Sequence, residues 1–154
     1  MNRHVLTLTT ILFCLFQLCI AGEGFWETHG PYGGNIWEVE YSGGTRGLCY
    51  AAGEGGIFTS FDDGVTWEKR NPETISIEEQ GIYCDALSAC RAQPGLVYAV
   101  FSDGYYQWEL FKSEDSGATW RLLEVPAETD VISAVACDPN DPDCVYVAYS
   151  EGGG

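Results

Sequence analysis

Two eight-residue stretches place polar side chains at the spacing most suited to chemistry. Ser-Phe-Asp-Asp-Gly-Val-Thr-Trp runs from Ser60 to Trp67, and Ser-Glu-Asp-Ser-Gly-Ala-Thr-Trp from Ser113 to Trp120. Ser60, Asp62, Gly64, Thr66 and Trp67 recur as Ser113, Asp115, Gly117, Thr119 and Trp120. A carboxylate repeated beside hydroxyls could act as an acid–base group or a calcium ligand. A helix-flanked calcium loop needs about a dozen residues, several oxygen ligands and a closing Glu, and neither stretch has that pattern. Asp-x-Gly between an apolar approach (Ile57, Phe58; Leu110, Phe111) and a Trp reads instead as a hairpin turn. Gly64 and Gly117 supply the positive φ of a tight reversal. Asp62 and Asp115 accept hydrogen bonds from the turn's own backbone. Trp67 and Trp120 open the return strand and cover the turn.

The remaining reactive groups are less ordered. Glycoside hydrolysis needs two carboxylates about 5–9.5 Å apart. The chain has 23 acidic residues, and no spacing singles out a pair, so no catalytic residue is assigned. Beyond the first 21 residues His29 is the only histidine and no Cys-x-x-Cys occurs, which argues against a zinc site. No metal or cofactor is expected. Tyr105, Tyr106 and Trp108, beside Asp103, suit contact with a carbohydrate or a peptide; packing between strands is the alternative role. His29 and Tyr32, on the loop His-Gly-Pro-Tyr-Gly-Gly, form a second candidate group.

These groups are carried by a repeated run of short strands. A period near 50 residues signals one supersecondary unit used several times. Strands are expected at 36–41, where Trp37, Val39 and Tyr41 alternate with Glu38 and Glu40, and at 48–52, 56–60 and 66–70. A second pass gives 82–90, 96–101, 106–112 and 119–124. A third gives 131–137 and a strand from 145. Cys49-Tyr50-Ala51, Val97-Tyr98-Ala99 and Val145-Tyr146-Val147 recur at intervals of 48 residues. Four antiparallel strands in a meander make one propeller blade. The units span about 35–70, 81–124 and an incomplete 131–154.

Both octets resemble the Asp-box (BNR) repeat, Ser-x-Asp-x-Gly-x-Thr-Trp, of sialidase-like β-propellers. That group includes sortilin-type receptors, photosystem II assembly factors and xyloglucan-cleaving glycosidases. The resemblance implies an all-β propeller fold, of which residues 22–154 supply about two and a half blades. It is weak for function, because such a fold hosts unrelated activities. It also implies that ligands lie on the rim opposite the Asp-boxes, the rim that receives His29, Tyr32, Tyr105, Tyr106 and Trp108. Sialidases combine an arginine cluster, a Tyr–Glu nucleophile and an Asp acid. Here only Arg46, Arg70, Arg91 and Arg121 follow Arg3, and the Arg-Ile-Pro start is absent. The xyloglucanase-like Thr-Asp-x-Gly-Gly pattern is missing as well.

Residues 1–21 read as a secretory leader: Arg3 and His4, an apolar stretch from Val5 to Ile20, then Ala21 as the cleavage position. The apolar stretch is short for a membrane span, so a secreted or extracytoplasmic product with no stable membrane span is expected. Export makes disulfides plausible among Cys49, Cys84, Cys90, Cys137 and Cys144. Cys137 and Cys144 flank a six-residue turn between antiparallel strands, and their pairing is expected. The formal net charge is −16; such a surface repels phosphate backbones and excludes nucleic acid as a partner. The chain is thus expected to be the N-terminal part of a longer propeller, with the rest of that propeller or a second copy covering its open blade. Its expected role is non-catalytic binding or scaffolding of a protein or carbohydrate. The alternative is the N-terminal part of a secreted glycoside hydrolase, sialidase-like or xyloglucanase-like.

Overall fold

A computed structural model of the chain describes residues 30–31, 34–76, 81–105, 107–126 and 129–151. The expected leader, His29, Tyr32 and Tyr106 lie outside them. All ten elements are strands: β1 (Ile36–Tyr41), β2 (Cys49–Gly53), β3 (Gly56–Ser60), β4 (Glu68–Lys69), β5 (Tyr83–Ala89), β6 (Val97–Ser102), β7 (Trp108–Ser113), β8 (Arg121–Leu123), β9 (Thr129–Cys137) and β10 (Val145–Glu151). They form two four-stranded sheets, β1-β2-β3-β4 and β5-β6-β7-β8, and a β9-β10 pair. Every pairing is antiparallel. Each four-stranded sheet is a meander in chain order, the blade of a propeller.

The 48-residue interval is kept in the register. Tyr41 pairs with Cys49, Ala89 with Val97, and Cys137 with Val145. Because the side-chain period of a strand is two, keeping the register keeps each side chain on its face. Two cores result, one at each seam between blades. Leu48, Tyr50, Ala52 and Ile57 of the first blade meet Leu87, Val97, Phe101 and Phe111 of the second. Leu96, Tyr98, Val100 and Leu110 of the second meet Ile132 and Val135 of the third. Tyr50 and Tyr98 are therefore buried, whereas their counterpart Tyr146, on the far face of the third unit, is 60% exposed.

Two local expectations are corrected. The first concerns β1, whose simple alternation is broken. Its pairing skips Trp37 between Ile36 and Glu38, and β5 skips Asp85 and β9 skips Ser133 in the same way. These three positions are 48 apart, so one β-bulge is repeated on every inner strand. A bulge inserts an unpaired residue and re-aims its side chain. Trp37 thereby leaves the face it was expected to share with Val39 and Tyr41. It leans over the seam to donate its indole N–H to the Cys84 carbonyl at 2.8 Å. Glu38 and Glu40 also face this seam, accepting from the backbone N–H groups of Leu87 and Ala89. They cap donors on the free edge of β5 that would otherwise go unpaired.

The second correction is the disulfide. Cys137 bonds to Cys90 across the seam between the second and third units, with Cα atoms 5.4 Å apart. Cys144 is free. Turn proximity misjudged this because Cys137 lies opposite Val145. Cys144, one residue earlier, projects from the opposite face. Cys84 and Cys49 are buried thiols.

Candidate functional site

The two octets fold as near-identical clips. In the first, Gly64 N donates to Ser60 Oγ at 2.9 Å, and Ser60 Oγ donates to Asp62 Oδ1 at 2.8 Å. Thr66 N reaches Asp62 Oδ1 at 2.8 Å, and Thr66 Oγ1 reaches Asp62 Oδ2 at 2.6 Å. The second repeats each contact within 0.1 Å through Ser113, Asp115, Gly117 and Thr119: 2.8, 2.9, 2.8 and 2.6 Å. These bonds favour the ionised carboxylate, led by the Thr66 hydroxyl for Asp62 and the Thr119 hydroxyl for Asp115, and hold both below the ordinary 3.8. Both oxygens of each aspartate are thus engaged by their own turn. Asp63 and Ser116 share the left-handed conformation of Gly64 and Gly117, with φ near 60°. Two successive residues with positive φ suit a tight hairpin.

The tryptophans that end the clips differ. Trp67 donates to the carbonyl of Gly64 within its own turn at 3.0 Å. Trp120 crosses the seam to the carbonyl of Arg70 at 2.7 Å and packs edge-on against Phe101. The second clip therefore closes its hairpin and also locks two blades together.

The meander order puts the clips on one rim, with the turn after each inner strand. The other rim receives the β2–β3 and β6–β7 turns and the blade-to-blade connections. At its inner edge the first-blade bulge builds an aromatic surface. Trp37 stacks on Tyr83, with ring centroids 6.2 Å apart and planes 19° apart. Trp37 stays 46% exposed. Tyr83 rests on the β6–β7 turn, where Gly104 adopts a φ of +79° and a Cβ would lie 3.0 Å from the tyrosine ring. Only glycine suits that contact and that conformation together.

Two acidic residues adjoin Tyr83 in the backbone. Glu54 forms an isolated bridge with Tyr83 and accepts from Asn35 N and Nδ2 at 3.2 and 3.0 Å. Asp85, the second-blade bulge residue, accepts from the indole N–H of Trp108 at 3.1 Å. Trp108 is half-buried against the second seam core. Tyr105 is 73% exposed at the tip of the same turn. The rim expected from the sequence thus gathers Tyr105 and Trp108, while His29, Tyr32 and Tyr106 are not among the described residues. Sequence reading missed Trp37, Tyr83 and Asp85. The available signal was positional, since Trp37 and Asp85 occupy one address in two successive units.

On the clip rim a cavity of about 480 Å³ opens between inner-strand ends, lined by Glu40, Tyr41, Ser88, Arg91, Cys137 and Pro139 among others. Burial raises the Glu40 carboxyl above its ordinary 4.5, opposed by its bond to the Ala89 N–H. Among the described residues no group of three or more His, Cys, Asp or Glu could hold a metal ion. No helix among them is long and apolar enough to cross a membrane.

No protein-family model matches the chain. It is 29% identical over 126 residues to vacuolar protein sorting/targeting protein 10 of Clavispora lusitaniae. That similarity covers 81% of this chain and 8% of the relative. Among solved structures, the GH74 xyloglucanase from Xanthomonas campestris superposes with a TM-score of 0.64 at 20% identity, over 81% of this chain and 21% of that one. YCF48 from Cyanidioschyzon merolae gives 0.60 at 18% identity, over 74% and 34%. A structure of YCF48 bound to D1 peptide gives 0.51 at 15% identity, over 68% and 30%. The chain is a β-propeller segment, similar in fold to these proteins and spanning at most about a third of their lengths.

Proposed function

We propose that this chain is part of an exported, non-catalytic β-propeller that binds a protein through the rim opposite its clips. The observation that carries the reading is the Trp37–Tyr83 surface at the inner edge of that rim. It is built to stack, and the carboxylates of Glu54 and Asp85, whose backbones adjoin Tyr83, accept hydrogen bonds from neutral donors. The clip aspartates, by contrast, are occupied by their own turns. Similarity over most of the chain to a vacuolar protein sorting/targeting protein supports a protein ligand. So does the fold shared with YCF48, one structure of which holds a D1 peptide. In this reading the octets are Asp-box repeats, residues 1–21 are a cleaved leader, and Tyr105 belongs to the ligand rim. A further blade covers the face bearing Tyr146, as the second and third units cover Tyr50 and Tyr98.

A panel of basic, neutral and acidic fluorescent peptides, titrated with the full chain, tests the reading. Saturable binding of at least one member is expected, with no release of reducing sugar from xyloglucan or of sialic acid from sialosides. Turnover of either substrate would replace the reading with the glycoside-hydrolase alternative.

A further inference from the structure

The aromatic surface and the charge around it specify a ligand chemistry. We propose that Trp37 and Tyr83 form a docking platform for a cationic, arginine- or lysine-bearing segment of the bound protein. This rests on the protein-binding reading above and names the class of ligand that site takes.

Three observations converge. The first is geometric. The bulge re-aims Trp37 over the seam, where its N–H is already committed to the Cys84 carbonyl. What remains for a ligand is the face and edge of a half-exposed indole stacked on a tyrosine. Indole is the best of the aromatic side chains at attracting a cation over its face. The second is local charge. Glu54 is bridged to Tyr83, and Asp85 lies two residues beyond it. The donors that these carboxylates accept from, Asn35 and Trp108, are neutral and do not offset either charge.

The third is the distribution of the six lysines and arginines that follow Arg3. Arg46 and Arg91 lie in the turns after the inner strands; Lys112 and Arg121 flank the second clip. Those positions belong to the clip rim. Lys69 and Arg70 end the first blade's outer strand, where the Arg70 guanidinium is held by Glu68 and lies over the Phe61 ring. The segments of the opposite rim carry Glu54, Glu73, Asp103 and Asp130 and no lysine or arginine. A surface of one sign steers oppositely charged partners and rejects like ones. A guanidinium fits best, because its plane stacks on aromatic rings while its fork bonds carboxylates.

The test uses the full chain and two labelled pentapeptides, acetyl-Gly-Arg-Gly-Arg-Gly-amide and its Glu counterpart, followed by fluorescence anisotropy at low and high salt. The Arg peptide is expected to bind in preference to the Glu peptide, and more weakly as salt rises. Trp37→Leu should weaken it about three- to tenfold. Trp37→Phe should restore part of the loss, and Asp85→Asn should flatten the salt dependence. Glu114→Gln, on the clip rim, should change nothing. Near-UV circular dichroism identifies any variant that has lost its seam packing, in which case Asp85→Asn and Trp37→Phe decide. Equal binding of both peptides overturns the proposal, as does unchanged binding by a natively folded Trp37→Leu. If only the Glu peptide, or only neutral or acidic members of the panel above, bind, the cationic chemistry falls and the protein-binding reading stands. If no peptide binds, both fall.

Discussion

Breaking the Cys90–Cys137 bridge is the most informative single perturbation of the fold. The bond spans 47 residues of sequence and joins the second and third units at the ends of their inner strands. Closing a loop of that size in the unfolded chain costs about 4 kcal/mol in the chain-entropy treatment, between about 3 for 15 residues and 4.7 for 100. Folded domains of this size are stable by only about 5–15 kcal/mol. Loss of the bridge should therefore remove a large fraction of the stability, and do so first at the seam it crosses. The assay is urea unfolding of the oxidised chain, the reduced chain and a Cys90→Ser/Cys137→Ser variant. The two bridge-less forms should agree with each other and fall about 4 kcal/mol below the oxidised protein. The linkage is checked separately by digestion with trypsin and an Asp-specific protease. Residues 85–91, holding Cys90, should remain joined to residues 130–137, holding Cys137. A bridge between 130–137 and the segment beginning at Asp143 would refute the register reasoning. So would an unfolding midpoint indifferent to reduction.

Two further predictions concern carboxylates whose shifts have opposite signs. Asp62 and Asp115 are held below 3.8 in the fold. Their contribution is complete above the unfolded value and lost as pH falls through the folded value. The Asp62→Asn/Asp115→Asn variant should be less stable than the parent near neutrality and lose less on acidification below about pH 4, as read by thermal melts across pH. Glu40 is raised above 4.5 by burial, so its effect runs the other way: stability is greatest below the unfolded value and declines as pH rises through the folded one. Glu40→Gln, whose amide oxygen can still accept from Ala89, should flatten that decline; an unchanged pH profile would show that Glu40 does not titrate at the seam.

Much of the fold was legible because it follows from local rules applied three times. The Asp-x-Gly turns, the inner strands rich in small residues and the recurring Tyr at positions 50, 98 and 146 each carry their own signal. The strands at 36–41 and 56–60 agree with β1 and β3 to the residue. The outer strands came out shorter than expected, Glu68–Lys69 and Arg121–Leu123 against 66–70 and 119–124, because Thr66 and Thr119 belong to the clip hydrogen bonds instead of the ladder. What the sequence hid were features that depend on a neighbouring unit. Glu38 and Glu40 read only as the residues alternating with Trp37, Val39 and Tyr41 until the free edge of β5 supplies their donors. Cys137 reads as the partner of Cys144 until register places their side chains on opposite faces.

The hidden features share a cause that also separates scaffold from site. Where an address in the repeat closes a turn or fills a seam core, its residue type is held: serine, aspartate, glycine and threonine in both clips, and tyrosine at 50, 98 and 146. At two polar addresses on the inner strands the chemistry changes instead. The bulge carries Trp37, then Asp85, then Ser133. The position of Glu40 becomes Ser88, which still accepts a backbone N–H from the next unit, that of Cys137 at 3.1 Å. A ring of identical units would offer a ligand the same group from every blade. The bulge instead carries an aromatic ring, a carboxylate and a hydroxyl on three successive inner strands, and only the first of them bonds across the seam. That variation on a constant scaffold is the physical ground on which we propose recognition at the bulge rim and stability at the clips.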